Sequence, residues 1–307
     1  MAATPGPASG SVPTAAELHA ATVTSYSTAP AAEDGRLKAH RIEFEVTLRH
    51  VLRRLPADRP AKVLDIGGGT GPYSFALADR GHDVTLVDNA PGLLDIARAR
   101  STGTRFSNPA GRGPSAFLSH ILCGDAVCLD DVISASERGS FDAVLLLGPI
   151  YHIMDPTLRH DAVAAAWQMV RRGGVLAVAF ISRWAHYRDL AMREPARLAA
   201  KKAFYDKHYR DGSYIKRDGS ERVLSASHHE HPADMRIVLE RATGVPASEV
   251  HMIGTEGVLA GGLDKLINDL HNDEFEAWVR LCMDASEDEY AWMSSDHIVG
   301  FVHRPLL

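Results

Sequence analysis

The chain has 307 residues, 45% hydrophobic and 23% charged, with a formal net charge of −6. This ordinary globular composition is enough for one large α/β domain with insertions, or for a domain with a small cap, and the acidic balance argues against a duplex nucleic-acid partner. No apolar run approaches the length of a membrane span, and Cys123, Cys128 and Cys282 are an odd set without metal-ligand spacing, as expected of reduced cytosolic thiols.

In chain order, the opening MAATPGPASGSVPTAA lacks both a basic n-region and an apolar h-region, so residues 1–17 read as a disordered tail rather than a signal peptide, and cytoplasmic residence is the default. From Gly35 to Leu55, the residues Leu37, Phe44, Leu48, Val51 and Leu55 fall on one helical stripe. That helix belongs to an N-terminal cap over residues 18–60.

The stretch Ala61 to Asp88, AKVLDIGGGTGPYSFALADRGHDVTLVD, reads as strand, glycine turn, helix, strand, acid. Ligands sit outside the carboxyl ends of parallel strands, so Asp65, the glycines Gly67, Gly68, Gly69 and Gly71, and Asp88 with Asn89 converge on one crevice. A dinucleotide pyrophosphate wants G-x-G-x-x-G. Here the glycines alternate and Pro72 stands at the third dinucleotide position, which argues against NAD or FAD; a tight turn without a ligand is the plain alternative.

Pro91 to Arg100 is the next crossover helix, and Ser101 to Ala116 is a polar Gly/Pro/Ser stretch expected to be a disordered loop. Phe117 to Leu122 forms a third strand, ending at Asp125 and Ala126. Phe141 to Leu147 is the fourth and most central strand. Asp155-Pro156 opens a helix that runs to Val170 and stops at RRGG, and Val175 to Ile181 is the fifth strand. Strict alternation of strand and helix predicts an α/β fold: a doubly wound, mostly parallel sheet with helices on both faces. Beyond Arg183 the alternation breaks, and residues 184–231 read as an insertion suited to a lid. Within it, Lys201 to Arg210 interleaves basic residues with acids, as on a solvated helix face. Val250 to Gly254 and Ile298 to His303 supply the sixth and seventh strands, separated by a helical insertion over residues 255–297.

The G-x-G-x-G turn, introduced by Asp65 and followed by Asp88, resembles motif I and the ribose-binding acid of the class I methyltransferases that depend on S-adenosylmethionine (SAM). EDGRL (Glu33 to Leu37), GPIYHI (Gly148 to Ile153), AFISR (Ala179 to Arg183) and His231-Pro232 are similar, in this order, to a group of small soluble SAM-dependent methyltransferases. The resemblance implies a seven-strand sheet within a domain over residues 18–307, SAM as cofactor, Asp88 on the ribose hydroxyls, and Asp125 on the adenine amino group. An N-cap is the plain alternative for Asp125. Ala126 and Leu147 belong to the same expected cofactor wall. Two departures matter: the loop at Ser101 to Ala116 is longer than expected, and the N/D-P-P-Y motif is missing after strand four, which argues against adenine or amide N-methylation.

SAM carries an activated methyl group, so the protein must bind it, exclude water and align a nucleophile. Tyr151 and His152, just past strand four, are the candidates for the acceptor side. His152 suits a proton acceptor near neutral pH, against the alternative of a histidine bonded to backbone; Tyr151 is equally a wall or a core residue. Tyr26 and Arg36 are expected to close over the cofactor, Arg36 by pairing with its carboxylate or, alternatively, in a surface salt bridge. Arg183, His229 and His231 are candidates for binding the acceptor. His229 and His231 share a face in an extended stretch, but no partnering ligand is identifiable, so no metal is expected. The expected partner is a small-molecule acceptor, without nucleic acid or membrane. A SAM-binding protein that no longer methylates, or an RNA or protein methyltransferase, are the competing readings.

Overall fold

The computed structural model describes residues 13–102, 117–220 and 222–306, apart from the side chains of residues 36–38 and 102. Within this set the chain order is α1 (Ala15–Thr28), α2 (Pro30–Ala39), α3 (Arg41–Leu52), β1 (Lys62–Ile66), α4 (Pro72–Ala78), β2 (Asp83–Asp88), α5 (Pro91–Thr102), β3 (His120–Cys123), β4 (Phe141–Leu146), α6 (Pro156–Met169) and β5 (Val170–Ile181). The insertion expected to be a lid follows, with α7 (Arg183–Arg193), α8 (Arg197–Ala200), α9 (Lys202–Asp211) and the strands β6 (Ser213–Arg217) and β7 (Val223–His228). The chain then runs through α10 (Pro232–Thr243), β8 (His251–Gly254), α11 (Asn272–Ala285), α12 (Glu289–Ser294) and β9 (His297–His303).

Seven strands pair in the order β3-β2-β1-β4-β5-β9-β8. The first five are mutually parallel and β9 runs antiparallel to both of its neighbours. Both faces are covered, which is why the strands read as nearly continuous apolar runs. Leu64, Val144, Leu176 and Val178 pack with Ala162 and Val163 of α6 and Met235 and Leu239 of α10 on one face. Val63, Ala143, Leu145 and Ala177 pack with Ile42 and Val46 of α3, Leu94 of α5 and Val279 of α11 on the other. The doubly wound expectation is met, and the strand order reverses between β1 and β4, the position at which such sheets bind ligands.

Several boundaries differ from expectation. α1 begins at Ala15, inside the stretch expected to be a tail, because Thr14 and Glu17 form a reciprocal capping box: Thr14 Oγ1 accepts from Glu17 N at 3.2 Å, and Thr14 N donates to Glu17 Oε2 at 2.7 Å. The rest of the expected tail, 1–12, lies outside the described residues, as does most of the expected loop, 103–116. The single helix expected from Gly35 to Leu55 is two, broken at His40 (φ −102°, ψ 59°), where the Ala39 carbonyl accepts from Asn268 Nδ2 at 2.7 Å instead of continuing the helical ladder. Strand five starts at Val170 rather than Val175, since Val170 already pairs with Phe141 across a register shift. Strand three is shorter than expected, its pairing beginning only at His120 opposite Thr85. The lid insertion carries a β-hairpin, β6–β7, on which α1 packs. Among the described residues, no helix is long and apolar enough to cross a membrane.

Candidate functional site

A pocket opens at the carboxyl ends of β1, β2 and β4, under α1. The turn after β1 forms its floor. Gly67, Gly69 and Gly71 all hold positive φ (71°, 59° and 81°), and at Gly67 the approach is so close that an added Cβ would lie 2.1 Å from Pro149 Cγ. No L side chain fits that combination. Asp88 fixes the turn: its Oδ2 accepts from Gly69 N at 2.8 Å and its Oδ1 from Ala90 N at 2.8 Å. Each carboxylate oxygen keeps a further lone pair for a ligand hydroxyl. Asp65, only 1% exposed, accepts from Ser74 Oγ at 2.6 Å. Burial pushes its carboxyl up to about 6, opposed by the Ser74 bond and reinforced by the charge of Asp88. Burial also raises Asp88, against the pull of the Ala90 and Gly69 amides.

Asp125 shows that its two readings are compatible. Its Oδ1 accepts from Val127 N at 3.1 Å, capping the short 3₁₀ turn that follows, while its Oδ2 accepts from Asn89 Nδ2 at 2.9 Å and from His19 Nε2 at 2.6 Å. Burial works to raise the Asp125 carboxyl, but these three donors prevail and hold it at about 2. The same contact raises His19, with burial opposing.

On the β4 side, Gly148 leads into the 3₁₀ turn Pro149–His152. Tyr151 donates to the Leu147 carbonyl at 3.5 Å and stands edge-on to the His152 ring, which suits a wall. His152 Nδ1 lies 2.9 Å from the Ala226 carbonyl of β7, and its Nε2 lies 2.8 Å from the Tyr26 hydroxyl of α1. The expected backbone bond of this histidine is therefore present, and its second ring nitrogen meets the Tyr26 hydroxyl.

Of the expected site residues, Asp65, Gly67, Gly68, Gly69, Asp88, Asn89, Asp125, Ala126, Leu147, Tyr26, Tyr151 and His152 line this one pocket. Gly71 is not among the lining residues; it is the left-handed N-cap of α4. The Arg36 side chain lies outside the described residues. The three residues expected to bind the acceptor do not line the pocket and are engaged within the insertion after β5 and at its junction with α10. Arg183 donates to the carbonyls of His229 and Tyr209. His229, 6% exposed, has its Nδ1 3.0 Å from His208 Nε2 and its Nε2 2.9 Å from Ser227 Oγ. His231 caps α10, its Nδ1 accepting from Ala233 N at 3.2 Å. His231 thus directly precedes the helix that begins at Pro232.

Sequence reading missed the roof. His19, Thr22 and Val23 line the pocket with Tyr26, at the i, i+3, i+4, i+7 spacing of one helical face. That spacing, together with the Thr14-x-x-Glu17 capping signature, was available in the sequence. α2 is held over the glycine turn by Asp34, which accepts from Thr70 Oγ1 at 2.8 Å and from Arg100 Nη2 at 2.5 Å.

Residues 63–174 match the family model described as Methyltransferase domain. That stretch, a little over a third of the chain, is similar to methyltransferase domains. It takes in β1 through the first residues of β5, and so the turn, Asp88, Asp125, Tyr151 and His152. Among curated relatives, the chain is 31% identical over 151 residues to the ubiquinone biosynthesis O-methyltransferase of Xanthomonas axonopodis pv. citri (strain 306), covering 49% of this chain and 55% of that protein. It is 30% identical over 138 residues to the enzyme of the same name from Xylella fastidiosa (strain 9a5c), covering 45% and 48%. The chain thus spans about half the length of the curated relatives it matches. Among solved structures, a chain from the Haloferax volcanii complex of the Trm112 methyltransferase activator with a methyltransferase superposes with a TM-score of 0.51 at 16% identity, covering 92% of this chain and 97% of that one. At that identity the likeness is one of fold.

Proposed function

We infer that the chain transfers the methyl group of SAM to a small-molecule acceptor. The observation that carries this reading is the pocket itself, which gathers the bare peptide turn and two strand-end carboxylates on one side and Tyr151 with His152 on the other. The residues suit SAM: Gly67 and Gly69 offer backbone where a side chain would intrude, Asp88 offers paired acceptors to a ribose, and Asp125 offers one to the adenine amino group. When bound, SAM supplies an electrophilic methyl on a sulfonium. The protein's part is to hold that methyl, close α1 over it to exclude water, and present the acceptor from the Tyr151–His152 side. The matched methyltransferase domain and the relatives' names support the same reaction class.

The free state of Cys123, Cys128 and Cys282 supports a cytoplasmic setting. The test has two stages. Calorimetry should detect SAM binding at one site per chain, and incubation with methyl-labelled SAM and a metabolite extract should place the label in a small molecule. Absence of SAM binding overturns the assignment; binding without transfer overturns the enzymatic part.

A further inference from the structure

Two of the residues that α1 turns to the pocket, Thr22 and Tyr26, are tied into a closed circuit with β7 and His152. Thr22 Oγ1 accepts from Ala226 N at 3.1 Å and donates to the Leu18 carbonyl at 3.0 Å. The Ala226 carbonyl in turn is 2.9 Å from His152 Nδ1, and His152 Nε2 is 2.8 Å from Tyr26 Oη. A carbonyl only accepts, so Nδ1 carries a proton. In the neutral ring Nε2 is then the acceptor, and Tyr26 is the donor. The tautomer is fixed by the backbone of β7 rather than by chance rotation.

Tyr26 cannot leave this position without dragging α1. Leu18 and Thr22, on the same helix, are 6% and 3% exposed, and the Thr22 to Ala226 bond fastens the helix one turn away. An acceptor entering the pocket therefore meets the phenolic oxygen of Tyr26 in front of His152.

We propose that Tyr26 and His152 form a two-residue proton relay, and that the acceptor methylated here is a hydroxyl compound. This rests on SAM-dependent transfer in the same pocket and names its acceptor class. The acceptor O–H passes its proton to the Tyr26 oxygen as Tyr26 passes its own to His152 Nε2. A lone pair of the acceptor oxygen forms the new O–CH₃ bond, the methyl–sulfur bond breaks, and its electron pair neutralises the sulfonium. The imidazolium that results returns its proton to solvent when the product leaves. A hydroxyl needs such a chain because it is a poor nucleophile while protonated; a thiolate or free amine does not. Tyr26 is then a catalytic residue in contact with the acceptor, and Ala226 and Thr22 are positioning groups.

The experiment uses the full chain, methyl-labelled SAM and three probes of one size: catechol, benzylamine and thiophenol. SAM affinity is measured first, in the wild type and in Tyr26→Phe and His152→Gln. Failure of the wild type to bind SAM overturns the proposed function, and with it the setting of the relay. With SAM bound, label is expected in catechol alone. Tyr26→Phe keeps the ring and the helix, so SAM affinity and the catechol KM should stay within about threefold while kcat falls about 100-fold or more, the usual size of lost general base catalysis. His152→Gln should lower kcat similarly. Transfer to benzylamine or thiophenol in preference to catechol, transfer to no hydroxyl probe, or a Tyr26→Phe variant with wild-type kcat each overturns the proposal.

Discussion

At the scale of single residues, the pocket depends on carboxylates held in unlike environments. Asp88 grips the turn through two backbone amides, so Asp88→Asn should do two separable things. An amide in place of one oxygen turns a donor toward a donor at Gly69 or Ala90, lowering the melting temperature. It also weakens the hold on ribose hydroxyls. Hydrogen bonds to charged groups are worth ~1.5–3 kcal/mol, so SAM affinity should fall about tenfold or more, read by calorimetry; unchanged affinity removes Asp88 from the ribose. Asp65 makes a pH prediction. Its folded value, raised by burial to about 6, means that the folded chain holds a proton that the unfolded chain releases near 3.8. Stability from this group is therefore lost as pH rises through about 6. A sulfonium entering the pocket favours the charged carboxylate, so SAM affinity should increase from pH 5 to 7, while S-adenosylhomocysteine, without that charge, should show a flatter profile. Asp65→Asn should abolish the difference. These acids were legible in the sequence because strand ends and glycine spacing announce them. Their partners were not: nothing in a linear pattern says that His19 reaches Asp125, 106 positions away.

At the scale of elements, α1 is the part most exposed to test. It contributes no strand pairing, yet its face holds His19, Thr22, Val23 and Tyr26 over the pocket. Its bond to Asp125 raises His19 above its ordinary value and holds Asp125 at about 2. For His19 the linked stability is fully present below 6.5 and is lost as pH rises through the raised folded value; for Asp125 it is lost only as pH falls from 3.8 through about 2. The strap should thus be tightest between about pH 4 and 6.5 and looser at pH 9, seen as faster amide exchange of residues 15–28 after correction for intrinsic rates. His19→Ala should erase that pH dependence without altering exchange in the strands. The helix escaped sequence reading because the Ala/Pro/Gly-rich residues before it set the expectation for the whole stretch, although the capping box marked its start. The crossover helices α5 and α6, by contrast, were readable from proline at N1 or from an Asp-Pro cap, since those signals are local.

At the scale of the whole molecule, the sheet and the insertion over residues 184–231, which we propose to be a lid, obey different chemistry, which decides both what could be read and how the protein should fail. The sheet core is apolar on both faces, and apolar runs separated by helical periods are visible in one dimension. The lid is held by imidazoles and aromatic rings from four segments, whose meeting no periodicity encodes. His186 of α7, His208 of α9 and His229 beyond β7 lie within 6.1 Å of one another by ring centroid, with Tyr214 of β6 against all three. Burial, aided by the neighbouring imidazoles and Arg183, depresses His208 to about 4; burial also lowers His186, and it lowers His229 well below the usual range. Asp211 and Asp189 oppose the shift without reversing it. A histidine whose folded value is depressed stays neutral in the fold while the unfolded chain takes up a proton near 6.5, so its cost to folding appears as pH falls below 6.5 and grows toward 4. The cost is concentrated in residues 183–231, where three such groups meet; on the sheet side His50 of α3, packed on Phe301 of β9 and depressed by burial to about 3, carries a share of its own. Acidification from pH 7.5 to 5 should open the lid first, with amide exchange or proteolytic nicking rising in that segment while β1, β4 and β5 stay protected. His208→Gln, which keeps a polar group opposite His229 but cannot be protonated, should move the opening to lower pH. Uniform loss of protection across lid and sheet would mean that the two are one cooperative unit and that the imidazole cluster sets no separate threshold.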